Sequence, residues 1–542
     1  RICMKAKKVL AMLMASAMIM GTTVTAFAAP GNVPSTEDKK NVYENISGIE
    51  EGATIKAYRI IEPKYTDDGF AGYKWVNGVG AFEGGNVEFN DDEEVVGLND
   101  TLITNTASNE TLLNGLTLVD NIDDDTDEAT ESLILGAGTW LLIVEGEADV
   151  YNPMIISVYY SKSGSDSTMA SAPVDADECW ELYGTTAYAK STPIDIEKNV
   201  DADDVDAEVY SSVSFTITGT IPAYSEQYTK DVVYVIKDTF TNGLTMNEIV
   251  NASFNGKTFN VSAQADPVVK VNGVELTNGN QYTYTHIDPE GMNSTWYDGT
   301  PATNEGFQIQ FSSEYIKGLK NATAAGRAVE VTYNATVTPA AVTVPAENDV
   351  ALDYTHTPNS VETITDEEKV YSVSLDGLVT KVDEDNAPLD GAEFTLYRSR
   401  TSTGDTITAD ELTDEVGVYT TGEDGDIEFK GLDADTPYYL TETGAPQDYS
   451  LNDAVYVIEF TDVIDNGNGT YSYTVKINGK ESNTITYGQS ATSAIEQIVN
   501  TRLGTLPSTG GIGTTIFTIG GCVIMVTAAG LYFATRKKEH NA

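Results

Sequence analysis

Cysteine is almost absent from the chain: Cys3, Cys179 and Cys522 are the whole complement in 542 residues. Cys3 precedes the apolar run of the N-terminal segment and Cys522 lies in the C-terminal apolar stretch, so Cys179 stands alone and no internal disulfide can brace what lies between. Histidine is equally scarce at three residues, and no Cys/His spacing suits zinc. Basic residues are few, 31 Lys and Arg against 83 Asp and Glu, giving a formal net charge of −52. That balance argues against nucleic acid and anionic membrane surfaces as partners. No Gly-rich phosphate loop follows a strand, and no Gly-x-Ser-x-Gly elbow is followed by a usable His. The acidic run 123–131 lacks the Gly that a calcium loop needs for its sharp turn, and reads as a solvated loop. No metal, no cofactor and no turnover enzyme are expected. Helical signal is sparse too, confined to residues 98–116.

What is abundant is strand pattern. Val, Ile, Thr and Tyr alternate with polar residues in short runs, as in 232–236, 329–333 and 471–475, broken by Gly, Asn and Asp. Hairpin turns are predicted at Asp68-Gly69, Asp424-Gly425 and Asn466-Gly467. The fold class is all-β, with three tandem Ig-like β-sandwich domains. One boundary falls at Lys190-Ser191-Thr192-Pro193, ahead of a strand at Ile194. The other is the polar run 355–369, ahead of a strand at Val370. The domains are then 29–190, 191–368 and 369–505. An exported chain this long without disulfides needs large cores or another covalent staple.

Export is read from the two ends. Met4 as the start, then Lys5, Lys7 and Lys8, an apolar run over 9–20 and the small residues of Ala26-Phe27-Ala28 make a secretory signal over 1–28. At the other end Leu506-Pro507-Ser508-Thr509-Gly510 precedes an uncharged stretch, 512–534, and then Arg536-Lys537-Lys538. As a helix the stretch would reach about 35 Å, enough to cross a bilayer, with the basic cluster as its cytoplasmic stop. This order of parts resembles the LPXTG sorting signal of Gram-positive surface proteins, which sortase cuts between Thr and Gly, passing the Thr carbonyl to an amine. An ordinary C-terminal anchor has no reason to carry the motif. The resemblance implies a sorting segment over 506–542 with a transmembrane helix. The protein would be exported, held briefly in the membrane, and then linked to cell-wall peptidoglycan by a housekeeping sortase.

Strand parity places charges where charges are costly. Lys198 shares a face with Ile194, Ile196 and Val200, and Lys381 shares one with Tyr371, Val373, Leu375 and Val379. Asp238 follows Val232, Tyr234 and Ile236 at even spacing, and Glu442 follows Tyr438 and Leu440. Lone buried charges must be paired or neutral. One reading is an inward ion pair in each domain. The other is an intramolecular isopeptide bond, because a desolvated Lys loses its proton more readily while a buried carboxyl gains one. A neutral amine held against an Asn carboxamide can then displace ammonia, with fixed geometry supplying the rate.

Resemblance bears on that choice. Lys381-Val382-Asp383 through Pro388-Leu389-Asp390-Gly391-Ala392-Glu393-Phe394 looks like the opening of a collagen-adhesin B-type (CnaB-like) domain. Tyr438-Tyr439-Leu440-Thr441-Glu442-Thr443-Gly444-Ala445-Pro446 resembles its E-box, and Ile498-Val499-Asn500-Thr501 its final strand. The likeness implies a bond from Lys381 to Asn500, with Glu442 as the catalytic acid. The middle domain is similar to a fimbrial isopeptide (CnaA-like) domain of shaft pilins, in which Lys198 matches the lysine and Asp238 the acid. Its Asn is either Asn348, inward by parity with Val350, Leu352 and Tyr354, or Asn334, outward beside Val331, Tyr333 and Ala335. Such bonds would join the first and last strands of each domain. Gly52-Ala53-Thr54-Ile55-Lys56 and Val150-Tyr151-Asn152-Pro153 look like the N-terminal domain of such pilins; no comparable Lys/acid/Asn set occurs there and no bond is expected.

Ala187-Tyr188-Ala189-Lys190-Ser191 precedes the middle domain. Shaft pilins carry a motif ending Tyr-Pro-Lys at this junction, whose lysine is the nucleophile for a class C sortase. Here Ala189 stands in place of the Pro, and a solvated linker lysine is the plain alternative. The resemblance implies a major pilin of a sortase-assembled pilus, with Thr509 of one copy joined to Lys190 of the next in a head-to-tail fibre. Minor pilins and a host-surface ligand would be further partners. A monomeric wall-anchored adhesin with a stapled stalk, or a basal or tip pilin, shares most of these features and would lack a productive Lys190.

Overall fold

The computed structural model describes residues 42–67, 69–80, 84–88, 95–119, 130–162, 180–184, 187–224, 228–291, 293–404, 406–503 and 513–538. The predicted signal segment, residues 123–129, Cys179 and the sorting pentapeptide lie outside them. The described chain is mostly strand, and its contacts divide it into two compact units. One comprises residues up to 252, 259–372 and 431–433; the other comprises 253–258, 373–430 and the residues from 434 on.

The first unit begins with a sheet ordered Gly69–Trp75, Thr54–Thr66, Gly138–Glu145, Met154–Lys162, Trp180–Gly184, with Leu118–Val119 also on Thr54–Thr66. Gly138–Glu145 is apolar on both faces and buried along nearly its whole length, which suits a central strand. Trp75 and Trp140 anchor a core running from Ile46 to Ala189. The helical signal over 98–116 proves to be two short helices, Asp100–Ala107 and Glu110–Leu113. Asn99 and Asn109 each cap one, accepting from Leu102 N–H at 2.9 Å and Leu112 N–H at 3.1 Å. The second cap interrupts what the periodicity suggested was continuous.

The rest of this unit is a sandwich. One sheet runs Ile196–Val200, Ser212–Thr220, Ala328–Val337, Val268–Val271, Val274–Glu275, with Leu244–Thr245 added on Ala328–Val337. The other runs Tyr282–Ile287, Gly306–Phe311, Tyr234–Phe240, Ala346–Thr357, Ser360–Val370. Alternation sends Val213, Phe215 and Ile217 inward. Tyr333 of the first sheet meets Phe307 of the second edge-on, with ring centroids 4.8 Å apart. Residues 355–369, expected as a polar stretch between domains, are largely the strand Ser360–Val370. It pairs antiparallel with Ala346–Thr357 from Thr357 opposite Ser360 to Ala346 opposite Val370. Its Glu and Asp positions suit an edge strand, which shows no apolar face to a periodicity reading.

In the second unit a six-stranded sheet runs Leu412–Thr420, Glu393–Arg400, Tyr438–Gly444, Val455–Phe460, Val475–Ile477, Lys480–Glu481. Val379–Asp383 and Glu496–Asn500 pair in parallel, Lys381 opposite Ile498 and Asp383 opposite Asn500. The strand expected over 371–382 is broken, because Gly377 at φ 70° turns the chain between Val373–Leu375 and Val379–Asp383. Hairpins occur at two predicted turns, joining Thr54–Thr66 to Gly69–Trp75 and Ile464–Asp465 to Tyr471–Tyr473. Asp424-Gly425 is a turn but not a hairpin, since its flanking strands pair elsewhere. Gly425 instead accepts from Lys381 N–H at 2.7 Å. A Cβ there would sit 2.4 Å from the Lys381 carbonyl oxygen, at a φ of 73°. Glycine is what lets this turn lie against the lysine-bearing strand.

The chain continues into the helix Gly513–Lys538, within which Ile516–Thr535 has a mean hydropathy of 2.0 and is long and apolar enough to cross a membrane.

Candidate functional site

Two clusters of buried polar side chains stand out, one in each unit. In the first, Lys198 projects inward from the edge strand Ile196–Val200, whose flanking Glu197 and Asn199 face solvent. Asp238 comes from the middle of Tyr234–Phe240 in the opposite sheet, and Asn348 from the neighbouring strand. Lys198, Asp238 and Asn348 are 1 %, 0 % and 0 % exposed, so solvent screens none of them. The Lys198 ammonium nitrogen contacts Asp238 Oδ2 directly. Burial pulls the Lys198 pKa down against the opposing charge of Asp238. Burial likewise pushes Asp238 up to about 6 despite Lys198. Both shifts favour a neutral pair.

Asn348 is in this cluster, while Asn334 is exposed on Ala328–Val337, opposite Ser214. Asn348 lies on the next-to-last strand of its sandwich, not the last as expected, because Ser360–Val370 folds back along it.

Tyr333 was missed as a site residue. Its hydroxyl lies 2.8 Å from Lys198 Nζ, 2.9 Å from Asp238 Oδ1 and 2.8 Å from Asn348 Nδ2. A signal was available: parity put this tyrosine on an inward face, and a buried hydroxyl needs partners.

The second cluster spans the parallel pair in the other unit. Lys381, Glu442 and Asn500 are 0 %, 3 % and 1 % exposed. Lys381 Nζ donates to the Ile498 carbonyl at 3.0 Å and stands 3.9 Å from Glu442 Oε2. Asn500 Nδ2 donates to Glu442 Oε1 at 2.6 Å, and Asn452 N–H donates to Oε2 at 2.9 Å. Burial pushes Lys381 down to about 8 and raises Glu442 from its ordinary value. In both clusters the amide oxygen of the Asn is buried without a hydrogen-bond partner. Two such omissions at matching positions are costly for stability.

Lys190 belongs to neither cluster. It lies exposed between Ala187–Tyr188 and Ser191–Pro193, beside buried Ala189 and a Tyr188 that is 71 % exposed. Thr509, its expected partner, falls outside the described residues.

Residues 376–480 match the SpaA prealbumin-like fold domain, and residues 498–540 match the LPXTG cell wall anchor motif. The chain is 24% identical to the trypsin-resistant surface T6 protein of Streptococcus pyogenes serotype M6, over 91% of its own length and 94% of that protein. It is homologous to the T6 protein. The solved T6 backbone pilin of that serotype, a modular three-domain structure, superimposes with a TM-score of 0.56 at 19% identity, covering 86% of this chain and 99% of that one. The full-length major pilin SpaD from Corynebacterium diphtheriae aligns at 18% identity over 86% and 98%, with a TM-score of 0.47. The anchor motif and the apolar helix mark an exported surface protein attached to the cell wall.

Proposed function

We propose that this chain is the shaft subunit of a covalently polymerised pilus, stapled internally by two Lys–Asn isopeptide bonds. The observation that carries the reading is the pair of buried Lys–acid–Asn clusters in a chain that also bears a sorting signal. A wall-anchored protein needs the sorting signal alone. Two dry, disulfide-free cross-linking sites suit a subunit that must transmit load.

In each site the neutral lysine Nζ attacks the Asn Cγ, a C–N bond forms, the Cγ–Nδ2 bond breaks and ammonia leaves. The buried acid takes the proton that the lysine sheds and returns one to the leaving nitrogen. Lys198 then joins Asn348 with Asp238 as acid, and Lys381 joins Asn500 with Glu442 as acid. Between subunits, sortase cleaves after Thr509 to form a thioester, and Lys190 of the next copy resolves it as an amide. Repetition gives a head-to-tail fibre. A class C sortase would build it, a housekeeping sortase would attach its base to peptidoglycan, and minor pilins would occupy its ends. The subunit is read as three domains, 29–190, 191–368 and 369–505, with the strand Ser360–Val370 carrying the middle one on to Val370.

Polymerisation is tested by immunoblotting wall extracts boiled in detergent, from cells carrying the wild type or Lys190→Ala. The expected result is a high-mass ladder that collapses to monomer in the variant. A ladder that persists assigns the linkage to another lysine. A single monomer band in both strains points to an anchored adhesin or a minor pilin.

A further inference from the structure

We propose that Tyr333 is a catalytic residue of the middle-domain cross-link, relaying a proton from Asp238 to the departing nitrogen of Asn348. This rests on the isopeptide reading above and concerns how that one bond forms.

The two sites solve one problem with different parts. In the second unit Glu442 touches the Asn500 amide nitrogen directly at 2.6 Å. In the first unit the acid is Asp238, one methylene shorter, and its described hydrogen bonds go to Lys198 and Tyr333, not to Asn348. The missing reach is supplied by the Tyr333 hydroxyl, 2.9 Å from Asp238 Oδ1 and 2.8 Å from Asn348 Nδ2. The two carboxyl oxygens of Asp238 are thereby divided, Oδ2 facing the nucleophile and Oδ1 facing the route to the leaving group.

The proton path closes on itself. Lys198 begins as a neutral amine and Asp238 as a carboxylic acid protonated on Oδ1. As Nζ bonds to Cγ, it gives one proton to Asp238 Oδ2. Tyr333 O–H donates to Asp238 Oδ1 at rest; for the transfer the hydroxyl turns toward Nδ2, its oxygen takes the Oδ1 proton, and its own proton passes to Nδ2. The Cγ–Nδ2 bond breaks and ammonia departs. Asp238 and Tyr333 both end neutral, with the carboxyl proton now on Oδ2. The direction of the last transfer follows from hybridisation. In the planar amide Nδ2 donates to the hydroxyl; when Cγ becomes tetrahedral, Nδ2 gains a lone pair and accepts through the same contact. Burial holds the phenol far above its ordinary pKa, so it keeps a proton to give. Its ring is fixed by stacking on Phe215 at 5.4 Å and by the edge contact with Phe307, which leaves the hydroxyl little freedom to stray.

The test follows bond formation in the full-length chain by pulse labelling, proteolysis and mass spectrometry of cross-linked peptides from both sites. Four forms are compared: wild type, Tyr333→Phe, Asp238→Glu, and the two substitutions together. In Tyr333→Phe, the Lys198–Asn348 bond is expected to form about 100-fold more slowly or not at all. The Lys381–Asn500 bond should form normally in the same molecules. The double variant should recover the bond, since glutamate restores the reach that Glu442 has, and losing a hydroxyl while gaining a methylene roughly conserves volume. A wild-type chain with no ammonia lost from the middle site would overturn the isopeptide reading itself. A bonded wild type with Tyr333→Phe equally fast would overturn only the relay. A slow variant that the added glutamate leaves slow would assign Tyr333 to packing, and also overturn the relay.

Discussion

At the scale of single residues, both clusters hold titratable groups stripped of their hydration. Lys381 at about 8 lies well under the ordinary lysine value because burial disfavours its charge, and the amine must be neutral to attack. In Asn500→Ala the amine stays unreacted, and its linkage to stability becomes visible. Its folded pKa is depressed relative to the unfolded chain, so between about 8 and 10.5 the unfolded state binds more protons. Stability therefore rises with pH across that window, by up to about 3 kcal/mol. Melting temperatures at pH 7.5 and 10 should show this rise in Asn500→Ala and not in the bonded chain, whose lysine has become an amide. Asp238 carries the opposite sign. Its folded value of about 6 exceeds the unfolded 3.8, so Asn348→Ala should lose stability as pH climbs from 4 to 6. These charges were legible in the sequence because strand parity has a period of two, which sorts inward from outward without further information. Tyr333 was only half legible: parity turned it inward, but nothing in the sequence says that its hydroxyl meets Lys198, Asp238 and Asn348 from three other strands.

At the scale of elements, each proposed staple would close a long loop of chain. By analogy with other cross-links this restricts the unfolded state by about 5 kcal/mol per bond. Asn348→Ala and Asn500→Ala should each lower the melting temperature by about 10–20 °C. Reductant should change nothing, since Cys179 has no partner cysteine in the cross-linked region. A melting curve unmoved in both variants would mean that the bonds add no thermal stability. Strands announced themselves where one face was apolar, as in Ala328–Val337, legible over 329–333. The edge strand Ser360–Val370 did not, because its partner supplies backbone hydrogen bonds that no composition records. The break at Gly377 was likewise invisible to parity, yet Val379 and Lys381 kept their inward phase beyond it.

At the scale of the whole molecule, a chain with a net charge of −52 repels its own copies. The proposed covalent linkage through Lys190, rather than surface adhesion, would then hold subunits in a fibre. Lateral bundling of such fibres should appear only as added salt screens the charge, an outcome that light scattering across an ionic-strength series would read. Tension brings one further consequence, and it lies in the hairpin beyond Asn348. A pull entering at Lys198 would cross to Asn348 and leave through Ser360–Val370. The exit of that strand, Val370, sits across from Ala346 at the hairpin's open end. Loaded there, the outer strand unzips rung by rung instead of shearing at once, releasing about 40 Å of chain while the staple stays taut. Force spectroscopy of the bonded subunit should record that short, reversible step. A fibre of many subunits would then behave less like a rigid rod than like a tether with slack sewn into every segment.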